Sequence, residues 1–257
     1  MPTPYIGITG FMSQNEIERV LNVLPEGSDR LVMVGVLADN ETIRGESSDF
    51  PKHYPHASSL GSIFLGSSPH CKLLNLVYFN TNDPDHLLDD LCLVHEMAGM
   101  CCNGMRLNVA WPDKKALEKA LEQYKKLFPD KTVVLQCFPK AIDEAGAPKQ
   151  LAMRVKEYEG LVDYVVIDQG GMLLDPIFAA AHLYALTADV QTSIGVVLAG
   201  GLSAQTLSRQ IVSLASNYRF SIDAQWNLRN EKDLLDVDEA RLYLLTADNI
   251  FRKYMEV

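Results

Sequence analysis

Ser193-Ile-Gly-Val-Val-Leu-Ala-Gly-Gly-Leu202 is a short apolar run stopped by paired glycines, and a helical pattern with Leu207, Ile211 and Leu214 follows it. A buried parallel strand feeding a helix reads this way. Gly200 and Gly201 fall where the strand must turn. Paired glycines there permit positive φ and leave backbone N–H groups uncovered at a helix start, which suits a phosphate, although the same pair also serves as a plain tight turn. Arg219-Phe-Ser-Ile-Asp223 repeats the form, with a carboxylate closing the run.

Working outward, the same unit recurs along the chain. Strands are expected at Tyr5 to Thr9, Arg30 to Ala38, Lys72 to Phe79, Gly104 to Ala110, Thr132 to Phe138 and Val162 to Asp168, then at the two runs above. Helices are expected after most of them. Ser13 and Glu16 form a capping box, Asp83-Pro84 and Asp175-Pro176 open helices, and Asp236 to Glu239 caps the last one. Pro148 to Glu159 is the fifth helix, and Trp111-Pro112-Asp113 closes the fourth strand. Eight strand-helix units predict an α/β fold, a (β/α)8 TIM barrel, with an open doubly wound sheet as the alternative.

The 257 residues, 47% of them hydrophobic, suit one barrel domain spanning 1–257. The pattern breaks between Asp39 and His70, with one short helix near Leu60 to Leu65. This long loop after the second strand is expected over the C-terminal mouth. The net charge of -10, with 33 acidic residues and 23 scattered basic ones, disfavours nucleic acid and anionic membrane as partners. The start lacks the pattern of a signal peptide and no apolar run approaches a membrane span, so a cytoplasmic location is expected. Five cysteines without C-x-x-C spacing read as reduced, mostly buried thiols.

Side chains at strand C-terminal ends converge on the active face of a barrel. The candidates are Thr9, Asp39, Asn80, Asn108, Gln136, Asp168, Gly200, Gly201, Asp223 and Gln225. Asp168 closes Tyr164-Val-Val-Ile, where apolar walls would suit a carboxyl to acid-base work; the rival reading is a loop cap. Asp223 is a second carboxylate, placed to share that work, to bind substrate or to hold structure. Thr9, Asn108 and Gln225 join it as expected substrate contacts. His53, His56 and His70 share the long loop, but Pro55 breaks the helical pair and no acidic ligand is fixed nearby, so no metal is expected. Lys140 is the nearest candidate for a Schiff base and reads as a loop residue. No cofactor is expected.

Gly7-Ile8-Thr9, Val166-Ile167-Asp168, Leu198-Ala199-Gly200-Gly201-Leu202 and Ile222-Asp223, on the first, sixth, seventh and eighth strands, resemble the phosphoribosylanthranilate isomerase family. The resemblance implies a barrel of the ribulose-phosphate-binding type and an Amadori rearrangement of a phosphorylated ribosylamine in tryptophan biosynthesis. It implies Asp168 as general acid, Gly200 and Gly201 as the phosphate site, and Asp223 as a substrate-orienting group. Against the family's Lys-Ile-Cys-Gly-Ile-Thr, the position of the cysteine base is Ile6. Gln225-Trp226-Asn227 replaces Ser-Ser-Gly, and Gly170-Gly171 is displaced from Gly-Gly-Thr-Gly. Three readings stay open: an isomerase or lyase of a phosphorylated or otherwise anionic small metabolite that uses Asp168 with a base other than cysteine, a non-catalytic small-ligand-binding barrel, and a true phosphoribosylanthranilate isomerase with a relocated base.

Overall fold

The structure, a computed structural model, describes residues 1–46, 50–81, 83, 85–109, 114–170 and 172–254. Pro84, Ala110, Trp111-Pro112-Asp113 and Gly171, named in the sequence reading, lie outside the described residues. Eight parallel strands close on themselves in sequence order: β1 Tyr5–Thr9, β2 Leu31–Asp39, β3 Lys72–Thr81, β4 Gly104–Val109, β5 Thr132–Cys137, β6 Tyr164–Asp168, β7 Gly195–Ala199 and β8 Ser221–Ala224. Closure comes from β1, which pairs with β2 on one side and β8 on the other, Gly7 lying opposite both Met33 and Asp223. The open-sheet alternative is thereby removed, and the fold is a (β/α)8 TIM barrel.

Between the strands run α1 Gln14–Leu21, α2 Asn40–Ile43, α3 Leu60–Ile63, α4 Leu87–Ala98, α5 Lys114–Leu127, α6 Pro139–Ala145, α7 Pro148–Lys156, α8 Pro176–Tyr184, α9 Ala204–Ala215 and α10 Val237–Tyr254. Local chemistry sets several of their starts. Ser13 Oγ accepts from the Glu16 amide while Glu16 Oε2 accepts from the Ser13 amide, closing the capping box. Asp175 Oδ1 accepts from the Ile177 amide, and Asp236 Oδ1 from the amides of Asp238 and Glu239. Two expectations change. The connection after β5 holds an extra helix, α6, because Pro139 presets the first turn and Gly146, at φ +76°, ends it. Lys140 is thus helical and exposed, 4.0 Å from Glu144.

Alternation along each strand sorts the side chains into two cores. Ile6, Ile8, Val32, Val34, Val36, Ile167 and Leu198 point outward and pack under the helices. Tyr5, Met33, Leu74, Leu76, Val134, Tyr164, Val166, Val197 and Ala199 point inward and form an apolar plug in the lower barrel. All five cysteines are free thiols; Cys71, Cys102 and Cys137 are buried. No helix among the described residues is long and apolar enough to cross a membrane.

Candidate active site

The parity that places apolar residues in the lower barrel places polar ones above them. Thr9, Arg106, Gln136, Asp168 and Asp223 occupy the next inward positions of β1, β4, β5, β6 and β8 and form one connected network. Asp223 accepts from Thr9 Oγ1 at 3.1 and 3.2 Å and forms a buried ion pair with Arg106. Arg106 Nε donates to Gln136 Oε1 at 2.8 Å, and Gln136 Nε2 donates to Asp168 Oδ2 at 2.8 Å. Asp168 Oδ1 accepts from the Gly170 amide at 2.8 Å. Two inward glycines make the space: a Cβ on Gly7 would lie 2.8 Å from Asp223 Oδ1, and one on Gly35 2.5 Å from Thr9 Oγ1.

Arg106 is the residue that sequence reasoning missed. Its guanidinium lies 4.3 Å from the Tyr78 ring centroid, a cation–π contact within a desolvated site. Burial pushes the Tyr78 hydroxyl up to about 12. A signal was available in Gly-Met-Arg-Leu-Asn, since an arginine two positions before Asn108 shares its face of the strand. Asp168 gains two amide donors that the sequence reading did not foresee, from Gln136 and Gly170, and the cavity it borders is lined by Phe138, Ala199 and Leu202 as well.

Above this network opens a cavity of about 680 Å³. Asn80 and Asn108 line it, hydrogen-bonded to each other, and Asn80 Nδ2 donates to Tyr54 Oη at 2.7 Å. Tyr54 comes from the segment between β2 and β3, which also sends Phe50 and His53 to the cavity, while Asp39 and Glu41 line it beside them. Asp39 caps α2 by accepting from the Thr42 amide at 2.8 Å. The later part of the segment turns away from the mouth, with α3 packing on α4 and His70 Nδ1 against the Leu24 carbonyl. A smaller cavity of about 60 Å³ adjoins the first, bordered by Arg106, Asp168, Asp223, Gly200 and Gly201. Tyr78, Phe138, Gln225 and Trp226 border both.

Gly200 and Gly201 adopt φ of +123° and +55°, conformations that a side chain resists. A Cβ on Gly200 would lie 3.0 Å from the Met172 carbonyl, so the segment after β6 folds against this turn. The Gly201 carbonyl accepts from Asn227 Nδ2 at 2.8 Å and Thr206 Oγ1 at 3.2 Å. Trp226 is 62% exposed and stands at the rim, on the border of the small cavity beside the glycine turn.

The first-strand comparison acquires a geometric meaning. Ile6 is fully buried on the outer, helix-facing side of β1, whereas Gly7 and Thr9 face the interior. A group at position 6 cannot reach the mouth. None of the five cysteines lines either cavity. The three loop histidines are separated in their contacts: His53 meets Asp233, His56 meets Ser58, and His70 meets the Leu24 carbonyl. No group of three or more His, Cys, Asp or Glu that could hold a metal occurs among the described residues.

The fold is an α/β-barrel architecture like that of the phosphoribosylanthranilate isomerases. Phosphoribosyl anthranilate isomerase from Thermus thermophilus superposes with a TM-score of 0.64 at 12% identity, over 96% of this chain and 99% of that one. A phosphoribosyl anthranilate isomerase in complex with reduced 1-(o-carboxyphenylamino)-1-deoxyribulose 5-phosphate gives 0.58 at 14%, over 96% and 100%. Active domain 2 of a thermostable chitinase from Pyrococcus furiosus gives 0.57 at 9%, over 96% of each chain. At these identities the likeness is one of fold. No protein-family model matches the sequence, and no curated protein matches it.

Proposed function

We propose that the mouth of this barrel binds a phosphorylated small metabolite and isomerises or cleaves it, with Asp168 transferring a proton. The observation that carries this reading is the position of Asp168 on the small cavity, where Gln136 braces it against the buried Arg106–Asp223 pair. A carboxylate fixed by two donors on rigid strands is preorganised for proton transfer. The larger cavity is lined by Asp39 and Glu41 and by no lysine or arginine among the described residues. In the proposed pose the phosphate therefore takes the Gly200–Gly201 turn, and the uncharged, hydroxyl-bearing or aromatic part of the metabolite fills the larger cavity. Asp223, held from beneath by the fully buried Thr9, orients the substrate from below, and Asn108 and Gln225 do so from the sides.

Ordinary phosphoribosylanthranilate isomerase activity is expected to be weak or absent, because the mouth offers no cysteine base. The test begins with thermal-shift screening of sugar phosphates and anthranilate-like acids, then measures turnover of each stabilising compound by the native protein and by Asp168→Asn. Turnover lost in a folded Asp168→Asn protein supports the assignment. Binding without turnover by the native protein supports a non-catalytic barrel, and an Asp168→Asn protein of native activity removes Asp168 from the chemistry. Robust growth of a tryptophan auxotroph lacking the isomerase, when supplied with this protein, would show that the substrate is the family's own.

A further inference from the structure

The larger cavity holds a histidine that the Asp168 network leaves unused. His53 is 5% exposed, lines that cavity, and places Nε2 2.6 Å from Asp233 Oδ2. Its ring stands 5.5 Å from the Trp226 ring and 6.0 Å from that of Phe50. Among the described residues Nδ1 has no hydrogen-bond partner. The hydrogen bond from His53 holds the Asp233 carboxyl below the usual range, so Asp233 is an ionised acceptor and the ring proton belongs on Nε2. That leaves the lone pair on Nδ1.

Asp233 is held in place for this contact. It sits at φ +61°, which aspartate tolerates in turns, in a turn closed by its own amide donating to the Asn230 carbonyl at 2.8 Å. Arg229 holds the turn from within: its side chain is 4% exposed, and its Nη1 donates to the Asp233 carbonyl at 2.9 Å and lies 3.8 Å from Asp233 Oδ1. Arg229 Nε and Nη2 have no partner among the described residues, so the buried guanidinium directs its charge mainly at Asp233. Lys52, from the element carrying His53, donates to the Lys232 carbonyl and ties the two loops together. The charged and titratable groups around the pair are thus Arg229, Lys52 and Tyr54, with Asp39 and Glu41 on the cavity wall.

From this geometry we infer that His53, oriented by Asp233, is the general base of the mouth, on the wall of the larger cavity that adjoins the one bordered by Asp168. The inference rests on the reading of the mouth as an enzyme's. Nδ1 removes a proton from the substrate; Asp168, entering as the carboxylic acid, gives its proton to another substrate atom and is left as the carboxylate. The proton on His53 then passes through solvent to Asp168, so an isomerised metabolite keeps its composition and the enzyme is restored. A carboxylate fixing one ring nitrogen so that the other accepts a proton is the logic of positioned histidine bases generally. The rival role is a latch between loops, in which the tautomer and basicity of His53 have no consequence.

A substrate-independent test separates the two. In 5-nitrobenzisoxazole a base takes the C3 proton, the C3–H electron pair forms the nitrile, the N–O bond breaks, and a coloured phenolate leaves. The native protein is expected to accelerate this elimination, His53→Gln to lose about 10²-fold of that acceleration, the order a positioned base contributes, and Asp233→Asn to lose part of it. His56→Gln, at an exposed loop histidine that lines neither cavity, should leave the elimination unchanged. The elimination involves no metabolite and no proton from Asp168, so loss of the metabolite reading and loss of this one are told apart. Long-range ¹H–¹⁵N spectra should show the neutral His53 ring protonated on Nε2, and a mixture of tautomers in Asp233→Asn. Equal elimination by native and His53→Gln proteins, at any rate including that of buffer, or a native His53 protonated on Nδ1, would overturn the inference.

Discussion

Arg106 and Asp223 meet inside a barrel, where each guanidinium or carboxylate has lost its water. Their side chains are 4% and 2% exposed, so removing one partner strands the other. Arg106→Met should destabilise the protein by about 3–5 kcal/mol, as when buried ion pairs are broken from one side. Adding Asp223→Asn should return part of the loss, since the remaining amide is neutral and still meets Thr9 Oγ1. Urea denaturation of the two variants measures both effects, and an Arg106→Met protein of native stability would show that the pair is hydrated. Position 6 teaches the converse. A side chain one residue along β1 from Gly7 faces helices instead of the barrel interior, because strand parity rather than nearness in sequence decides access.

The turn between β7 and α9 shows what an element demands of its residues. Gly201 sits at φ +55°, and a Cβ there would lie 3.0 Å from the Leu173 Cα and from the Met172 carbonyl. Gly201→Ala should therefore cost about 1–2 kcal/mol for the left-handed backbone alone, before any contact is displaced. Chemical denaturation checks the cost, and the sugar-phosphate thermal shift should weaken in parallel if this turn holds the phosphate. An alanine variant with unchanged stability would mean that the turn relaxes to negative φ. The capping box of Ser203 and Thr206 fixes the start of α9 just beyond the turn, with the Ser203 amide donating to Thr206 Oγ1 at 2.9 Å. Such a relaxation would therefore have to move the helix as well.

At the scale of the whole molecule, stability is coupled to pH through histidines that the fold buries. His182 on α8 is 3% exposed, its Nδ1 lies 2.9 Å from the Phe178 carbonyl, and its Nε2 has no partner among the described residues. Burial pushes its pKa below the ordinary 6.5, and burial does the same to His95 on α4. With the folded value depressed, the unfolded chain binds the proton first. The contribution is complete above about pH 6.5 and is lost as pH falls through the window below it. Urea midpoints should drop as pH falls below about 6.5, and His182→Phe should make that slope shallower. A steeper or unchanged slope would place the titration elsewhere.

What the chain decides locally is its order of strands, helices and caps, since alternation, helical periodicity and residues such as Ser13, Asp175 and Asp236 act over a few positions. That order was enough for the eight-unit barrel and for a strand-end roster in which Thr9, Gln136, Asp168 and Asp223 prove to be hydrogen-bonded neighbours. Partners distant in sequence were decided only by closure. Arg106 finds Asp223 across 117 positions and His53 finds Asp233 across 180, and no local pattern encodes such a pairing. The face that a strand residue presents is equally a tertiary matter, because both faces of a barrel strand are apolar enough to read alike. Ile6 and Gly7 differ by one position in the sequence, and the curvature of the closed sheet puts one under the helices and the other beside the carboxylate.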